Sequence, residues 1–183
     1  MVAVTLPRMG NLESLPALDH PDLLGPTVHA ALSSWAPADR VAVVRIDPEL
    51  ADTAAMTEAY DVPLESSANC VVVVGARSGE ERVAACVVRA DTRADVNNLV
   101  RKTLDVRKAT FLSMDRATAE SQMEYGGINP VGLPAAWRVL VDARCVAIEA
   151  AIIGSGVRHS KLLIPGELLA ELPGVEVLDD LGR

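Results

Sequence analysis

Side chains able to do chemistry are scarce in this chain of 183 residues. It has three histidines and three cysteines, and its 17 basic residues include only three lysines, Lys102, Lys108 and Lys161. No GxSxG, HExxH, Walker or GxGxxG pattern occurs, so the usual sequence signs of a nucleophile elbow, a zinc helix or a phosphate loop are missing. Cys70, Cys86 and Cys145 form no CxxC and sit in strand-like settings, which suits reduced, buried thiols better than metal ligands. A Cys–His pair between Cys70 or Cys145 and His159 stays open as a weak alternative, because buried strand cysteines make poor thiolates. His20 and His29 have no second ligand type nearby and read as structural or surface residues.

Two glycine-rich loops remain: "YGGINPVGLP" (125–134) and "GSGVRHSK" (154–161). Glycine lets main chain approach a ligand and supplies the positive φ at which amides converge. Such amides hold a carboxylate, a phosphate or a developing oxyanion, and they can assist ester cleavage without a protein nucleophile by positioning a water or a substrate hydroxyl. The bland reading of either loop is a plain turn. Arg101, Lys102, Arg107 and Lys108 form the densest basic cluster, read either as a solvated helix end or as an RNA phosphate contact that Arg158 and Lys161 would extend.

Whole-chain chemistry limits the partners. A formal net charge of −8 and a pI of about 4.9 argue against a protein that coats nucleic acid, though a local patch at one RNA end is compatible with them. Half of the residues are hydrophobic and only 3% are aromatic, so the core must be built from Val, Leu, Ile and Ala. The N-terminal "MVAVTLPRMGNLESLP" lacks the pattern of a secretory signal, and no apolar run is long enough to span a membrane. A cytoplasmic protein without membrane contact is expected.

The elements that must hold the loops follow from local pattern. Strands are expected at 40–46, 69–76, 82–90, 108–113, 137–143, 150–156, 161–165 and in "VEVL". "RSGEE" (77–81) joins one hairpin and "GVRHS" a second. Helices are expected in two pieces over "HPDLLGPTVHAALSSW", with Pro26 in a first turn, then over 52–62 with Asp52 or Thr53 as cap. Further helices are expected over 91–104 capped by Asp91 or Thr92, over 115–123 capped by Asp115, and in "GELLAEL". The mixture predicts an α+β fold, a curved, mainly antiparallel sheet surrounded by helices. One domain over 1–183 is expected, with an N-terminal helical extension over about 1–38 and a core over about 39–183.

In this order the loops resemble the YbaK/ProX aminoacyl-tRNA editing domains, which also occur inserted in bacterial prolyl-tRNA synthetases. The likeness runs over about 52–178 and includes "NCVVVVGA", "TRADVNNLVRKTLDVRKATF", "VLVDA" and "GSGVRHSKLLIP". The GxxxP pattern of that family is Gly126-Gly127-Ile128-Asn129-Pro130. The resemblance implies hydrolysis, in trans, of the ester joining a wrong small amino acid to the 3′ end of a tRNA, with tRNA for proline as the expected carrier. It implies no metal and no cofactor. Gly126 and Gly127 would hold the aminoacyl carbonyl, and Ile128, Asn129, Pro130, Asp142, Gly154, Ser155 and Gly156 would shape the amino-acid pocket. Arg101, Lys102, Arg158 and Lys161 are the candidate RNA contacts. The implied partners are the misacylated tRNA 3′ end and an aminoacyl-tRNA synthetase; a homodimer is left open.

One position departs from the family. Asn69, a catalytic candidate together with Gly126 and Gly127 by this resemblance, stands where the family usually has a lysine at the start of the central strand. Losing a charge-assisted contact costs about 1.5–3 kcal/mol, roughly ten- to a hundredfold in rate or affinity. A binding module for aminoacyl or nucleotide ligands, weakened or inactive in catalysis, is therefore the alternative, and a hydrolase for another small acyl ester is a third reading.

Overall fold

Alternating and continuous apolar runs build nine strands, which a computed structural model of the chain, describing residues 4–183, arranges in two sheets. The first sheet has the order β1 (Leu15–Pro16), β2 (Ala42–Arg45), β8 (Ser160–Ile164), β7 (Ala151–Gly154), all antiparallel. The second runs β5 (Ala109–Phe111), β3 (Ala68–Arg77), β4 (Glu80–Arg89), β6 (Arg138–Asp142), β9 (Val175–Leu178). There β5, β3 and β4 pair antiparallel, while β4–β6 and β6–β9 are parallel. The fold is α+β with antiparallel pairing dominant. Strands that sequence pattern alone joined in one curved sheet form two, linked by a backbone bridge between Ser67 and Ile152.

Local sequence explains the turns. β3 and β4 are joined by Ser78 and Gly79, both at positive φ (52° and 82°), the two-residue turn whose twist matches a hairpin. The helices are α1 (Pro26–Ser33), α2 (Thr53–Tyr60), α3 (Arg101–Thr103), α4 (Met114–Ser121), α5 (Ala143–Val146) and α6 (Gly166–Leu169). The helix expected from residue 91 starts later. A π-helical turn over Val96–Val100 leads into α3, and the cap is Asp95, whose carboxylate accepts from the amides of Asn98 and Leu99. The cap position of α4 is Ser113 rather than Asp115, which lies in the first turn.

The largest apolar cluster lies between the sheets. Val43, Ile153, Leu162 and Ile164 of one meet Val87, Val139 and Val141 of the other. The N-terminal segment joins the same cluster through Leu23, Val28 and Leu32, and β1 pairs with β2, so what sequence suggested as an extension is woven into the core. Residues 1–3, part of that segment and of the stretch read for a signal sequence, lie outside the described residues. On the outer face of the five-stranded sheet Val73, Ala84, Cys86 and Val88 pack against Val96, Val100 and Leu104, as the spacing over 91–104 required. Among the described residues no helix is long and apolar enough to cross a membrane.

Asp142 ends β6 and is 1% exposed. Its carboxylate accepts from the Arg144 amide at 2.8 Å, capping α5, from the Arg144 guanidinium at 3.0 Å and from the Gly182 amide at 2.5 Å. Burial pushes its pKa up, but the Arg144 guanidinium and the two amides outweigh burial and hold it below the usual carboxylate range. A group whose folded pKa is depressed stabilises the fold above its unfolded pKa, and that stabilisation is lost as pH falls through the folded value. Asp142→Ala is expected to lower unfolding stability by about 3 kcal/mol at neutral pH. Urea titrations of variant and wild type should converge as the pH falls below about 3.9; a constant gap at all pH values contradicts the assignment.

Candidate active site

The two glycine loops meet main chain to main chain. Gly156 donates to the carbonyl of Gly127 (2.8 Å), Glu124 donates to the carbonyl of Gly156 (2.9 Å), and the Glu124 carboxylate accepts from the Arg158 amide (2.7 Å). A side chain at Gly154 would put its Cβ 2.4 Å from the Gly127 carbonyl oxygen, and one at Gly127 would meet the Val157 amide at 2.7 Å. These glycines therefore serve the approach of one loop to the other. Gly156, at φ 89°, also lies against Gly25. Asn129 is fully buried and holds the loop from within, donating to the Gly127 carbonyl and accepting from the Val131 amide. Pro130 is buried in the same loop. Ser155 is buried in a hydroxyl pair with Ser160 at 2.7 Å, and Ser160 continues to the Leu23 carbonyl.

Beside this junction, where the sheets come together, lies a cleft of about 310 Å³. Asn69 near the start of β3, Gly126 and Ile128 of the first loop, and Gly154 and Lys161 of the second hairpin line it together. Its apolar wall includes Met56, Val71, Met114, Ile152 and Ile153. Lys161 is the one lysine that lines the cleft. It is only 8% exposed, and its ammonium donates to the Gly126 carbonyl at 2.9 Å. No carboxylate stands within ion-pair distance of it among the described residues. Burial, and secondarily the positive charge of Arg158, push its pKa down to about 8 against a smaller opposing pull from Asp52. One of three ammonium donors is satisfied, so two remain for a ligand.

Further polar groups line the cleft. Asn69 accepts through Oδ1 from the Thr53 hydroxyl at 3.1 Å. The Ser67 hydroxyl is buried without a partner. The amides of Gly126 and Ile128 donate to no acceptor among the described residues. Asp52 and Thr53, expected as helix caps, cap nothing with their side chains and line the cleft instead. Sequence pattern marks none of Ser67, Asp52, Thr53 and Tyr125 as a site residue; Asp52 and Thr53 read as caps and Tyr125 as the first residue of the glycine loop.

Other candidates fall elsewhere. Asp142 anchors α5 and the C-terminal residues and is not part of the cleft. Arg101 and Lys102 gather with Arg77 and Arg107 at the far end of β3, about 25 Å along the strand from Asn69. Arg158 is engaged with the carbonyls of Tyr125 (3.1 Å) and Pro48 (3.0 Å) and lies 5.4 Å over the Tyr125 ring, so it braces the loop. Lys161, taken from sequence as an RNA contact, is inside the cleft. The His159 ring contacts the Asp22 carbonyl, not a cysteine. Burial pushes the thiol pKa of all three cysteines up, Cys86 and Cys145 to about 12, which removes them as nucleophiles. Among the described residues no group of three or more His, Cys, Asp or Glu is arranged to hold a metal ion.

The fold has solved counterparts. A structure described as a "putative trans-editing enzyme for prolyl tRNA synthetase" superposes with a TM-score of 0.73 at 16% identity, covering 87% of this chain and 96% of its own. A second, the hypothetical protein APE2540, gives 0.68 at 18% identity over 77% of this chain and 90% of its own. A comparison with curated proteins returned no match. Residues 47–172, which include the cleft and both glycine loops, match the family model described as the aminoacyl-tRNA editing domain, and the chain belongs to that family.

Proposed function

We propose that the protein is a trans-acting aminoacyl-tRNA deacylase, with the whole chain, 1–183, as one domain. It hydrolyses the ester that joins a small, wrongly attached amino acid to the tRNA 3′ end, and a tRNA for proline is the first carrier to test. The observation that carries this is the buried Lys161 ammonium, with donors to spare, in a cleft lined also by Gly126 and Ile128, whose amides donate to no acceptor among the described residues. These donors suit the oxyanion that develops when water attacks the aminoacyl carbonyl carbon. The carbon–oxygen ester bond then breaks, and the proton lost by the water ends on the departing ribose oxygen. The modest cleft volume favours a small acyl group. Such an enzyme works in the cytoplasm beside the synthetase whose errors it removes; a monomer or a homodimer suits the role.

The rival binding module rested on the charge that Asn69 lacks. Lys161 supports the hydrolase over it, because β8 brings a positive charge to the cleft that β3 does not. Lys161→Gln is expected to lower kcat/KM for a mischarged tRNA roughly ten- to a hundredfold. Adding Asn69→Lys in that background should recover part of the loss by returning the charge from the other strand. The ammonium is the working form, so after subtraction of spontaneous hydrolysis the wild-type rate should fall as pH rises through about 8. The Lys161→Gln variant should lack that limb. A panel of mischarged tRNAs left intact by wild type at high enzyme concentration sinks the enzyme reading; full activity in Lys161→Gln sinks the role of Lys161.

A further inference from the structure

The chain has five aromatic residues, and two of them are exposed beside the cleft. Tyr125, 53% exposed, lines the cleft itself. Phe111, the only phenylalanine, is 64% exposed at the end of the edge strand β5. Leaving so large an apolar ring in water forfeits about 1.5–3 kcal/mol of burial, which asks for an occupant. Phe111 lines a second cavity of about 500 Å³, which shares Asn69 and Val71 with the cleft and so continues it across β3.

Thr92 and Asp95 of this second cavity are engaged within the protein, but two of its polar side chains are unspent. The Arg93 guanidinium and the Asn97 carboxamide make no hydrogen bond or ion pair among the described residues. The Thr110 residue beside the ring is exposed. The wall that carries Arg93 is fixed: its amide and carbonyl pair with those of Arg183 at 2.8 Å each, and the neighbouring Asp95 carboxylate pairs with the Arg183 guanidinium at 3.0 Å. A flat ring, a free guanidinium and a free amide edge match a base, its phosphate and its hydrogen-bonding edge. An oligopeptide would leave the guanidinium unused unless it were acidic, and the cavity's continuity with an ester-cleaving cleft favours the nucleotide.

We propose that this second cavity is a binding site for an unpaired nucleotide of the substrate's RNA end, stacked on Phe111 with its phosphate on Arg93, while the aminoacyl ester lies in the Lys161 cleft. The proposal rests on the deacylase reading for the identity of the RNA but not for its test. Fluorescence anisotropy would compare the full chain's affinity for a labelled RNA hairpin with an unpaired 3′ overhang and for the same hairpin made blunt. Wild type should prefer the overhang. Phe111→Ala, which removes only an exposed ring and should leave the melting temperature unchanged, should weaken overhang binding roughly five- to a hundredfold and leave blunt binding as it was. Arg93→Gln should reduce the slope of log K against log salt by about 0.7. Equal overhang affinity in Phe111→Ala and wild type overturns the proposal, as does a wild type that binds neither hairpin or fails to distinguish them. Overhang binding that depends on Phe111, together with no hydrolysis of any mischarged tRNA, would keep this site and remove the deacylase; hydrolysis with an unchanged KM in Phe111→Ala would do the reverse.

Discussion

Everything at the cleft depends on two stretches of backbone touching with nothing between them. The loop around Gly127 and the hairpin around Gly156 exchange hydrogen bonds at distances where any Cβ would collide with main chain. Gly25 extends the contact, its amide donating to the Ser155 carbonyl at 2.8 Å. Side-chain packing tolerates small shifts, but glycine-to-glycine contact of this kind has one workable spacing. That spacing brings the Gly126 carbonyl to the Lys161 ammonium and thereby sets where the charge stands.

The electrostatics combine a net negative chain with local positive groups. The chain carries a formal charge of −8, yet its cleft holds a buried ammonium with Arg158 close enough to disfavour its charge. Burying an unpaired cation destabilises a fold, and that cost persists because no carboxylate among the described residues forms an ion pair with it. An anionic surface discourages polyanions from lying along the molecule at random, while a local positive group rewards the one end that reaches inside. Short-range donors rather than overall charge therefore select the ligand.

Much of this was legible in the residues. The Val-rich runs gave β3 and β4, Ser78-Gly79 gave their turn, and the Val96, Val100 and Leu104 spacing gave the helical face that covers them. The GxxxP loop was found because its composition resists regular structure. What failed to show was anything that depends on two distant strands meeting. Lys161 reads from sequence as an RNA contact on the second hairpin, because its neighbours His159 and Ser160 say nothing of Asn69 across the cleft. Asp142 enters the expected pocket through the family resemblance, which does not distinguish a carboxylate that faces a ligand from one that caps a short helix. Asp52 and Thr53 read as caps, and only the missing cap bond reveals that their side chains turn to the cleft, where the Thr53 hydroxyl donates to Asn69.

The cleft is also a seam. One wall belongs to a sheet of four strands, the other to a sheet of five, and the Ser67–Ile152 bridge stitches them at its edge. The gap between the walls is set by what fills the space between the sheets, where Val43 and Leu162 meet Val87 and Val141. A methyl group gained or lost in that interior would change how far the walls lean apart without altering any residue that lines the cleft. The size of ligand that the cleft admits is thus recorded partly in the hydrophobic core, where a comparison of lining residues between relatives would not find it.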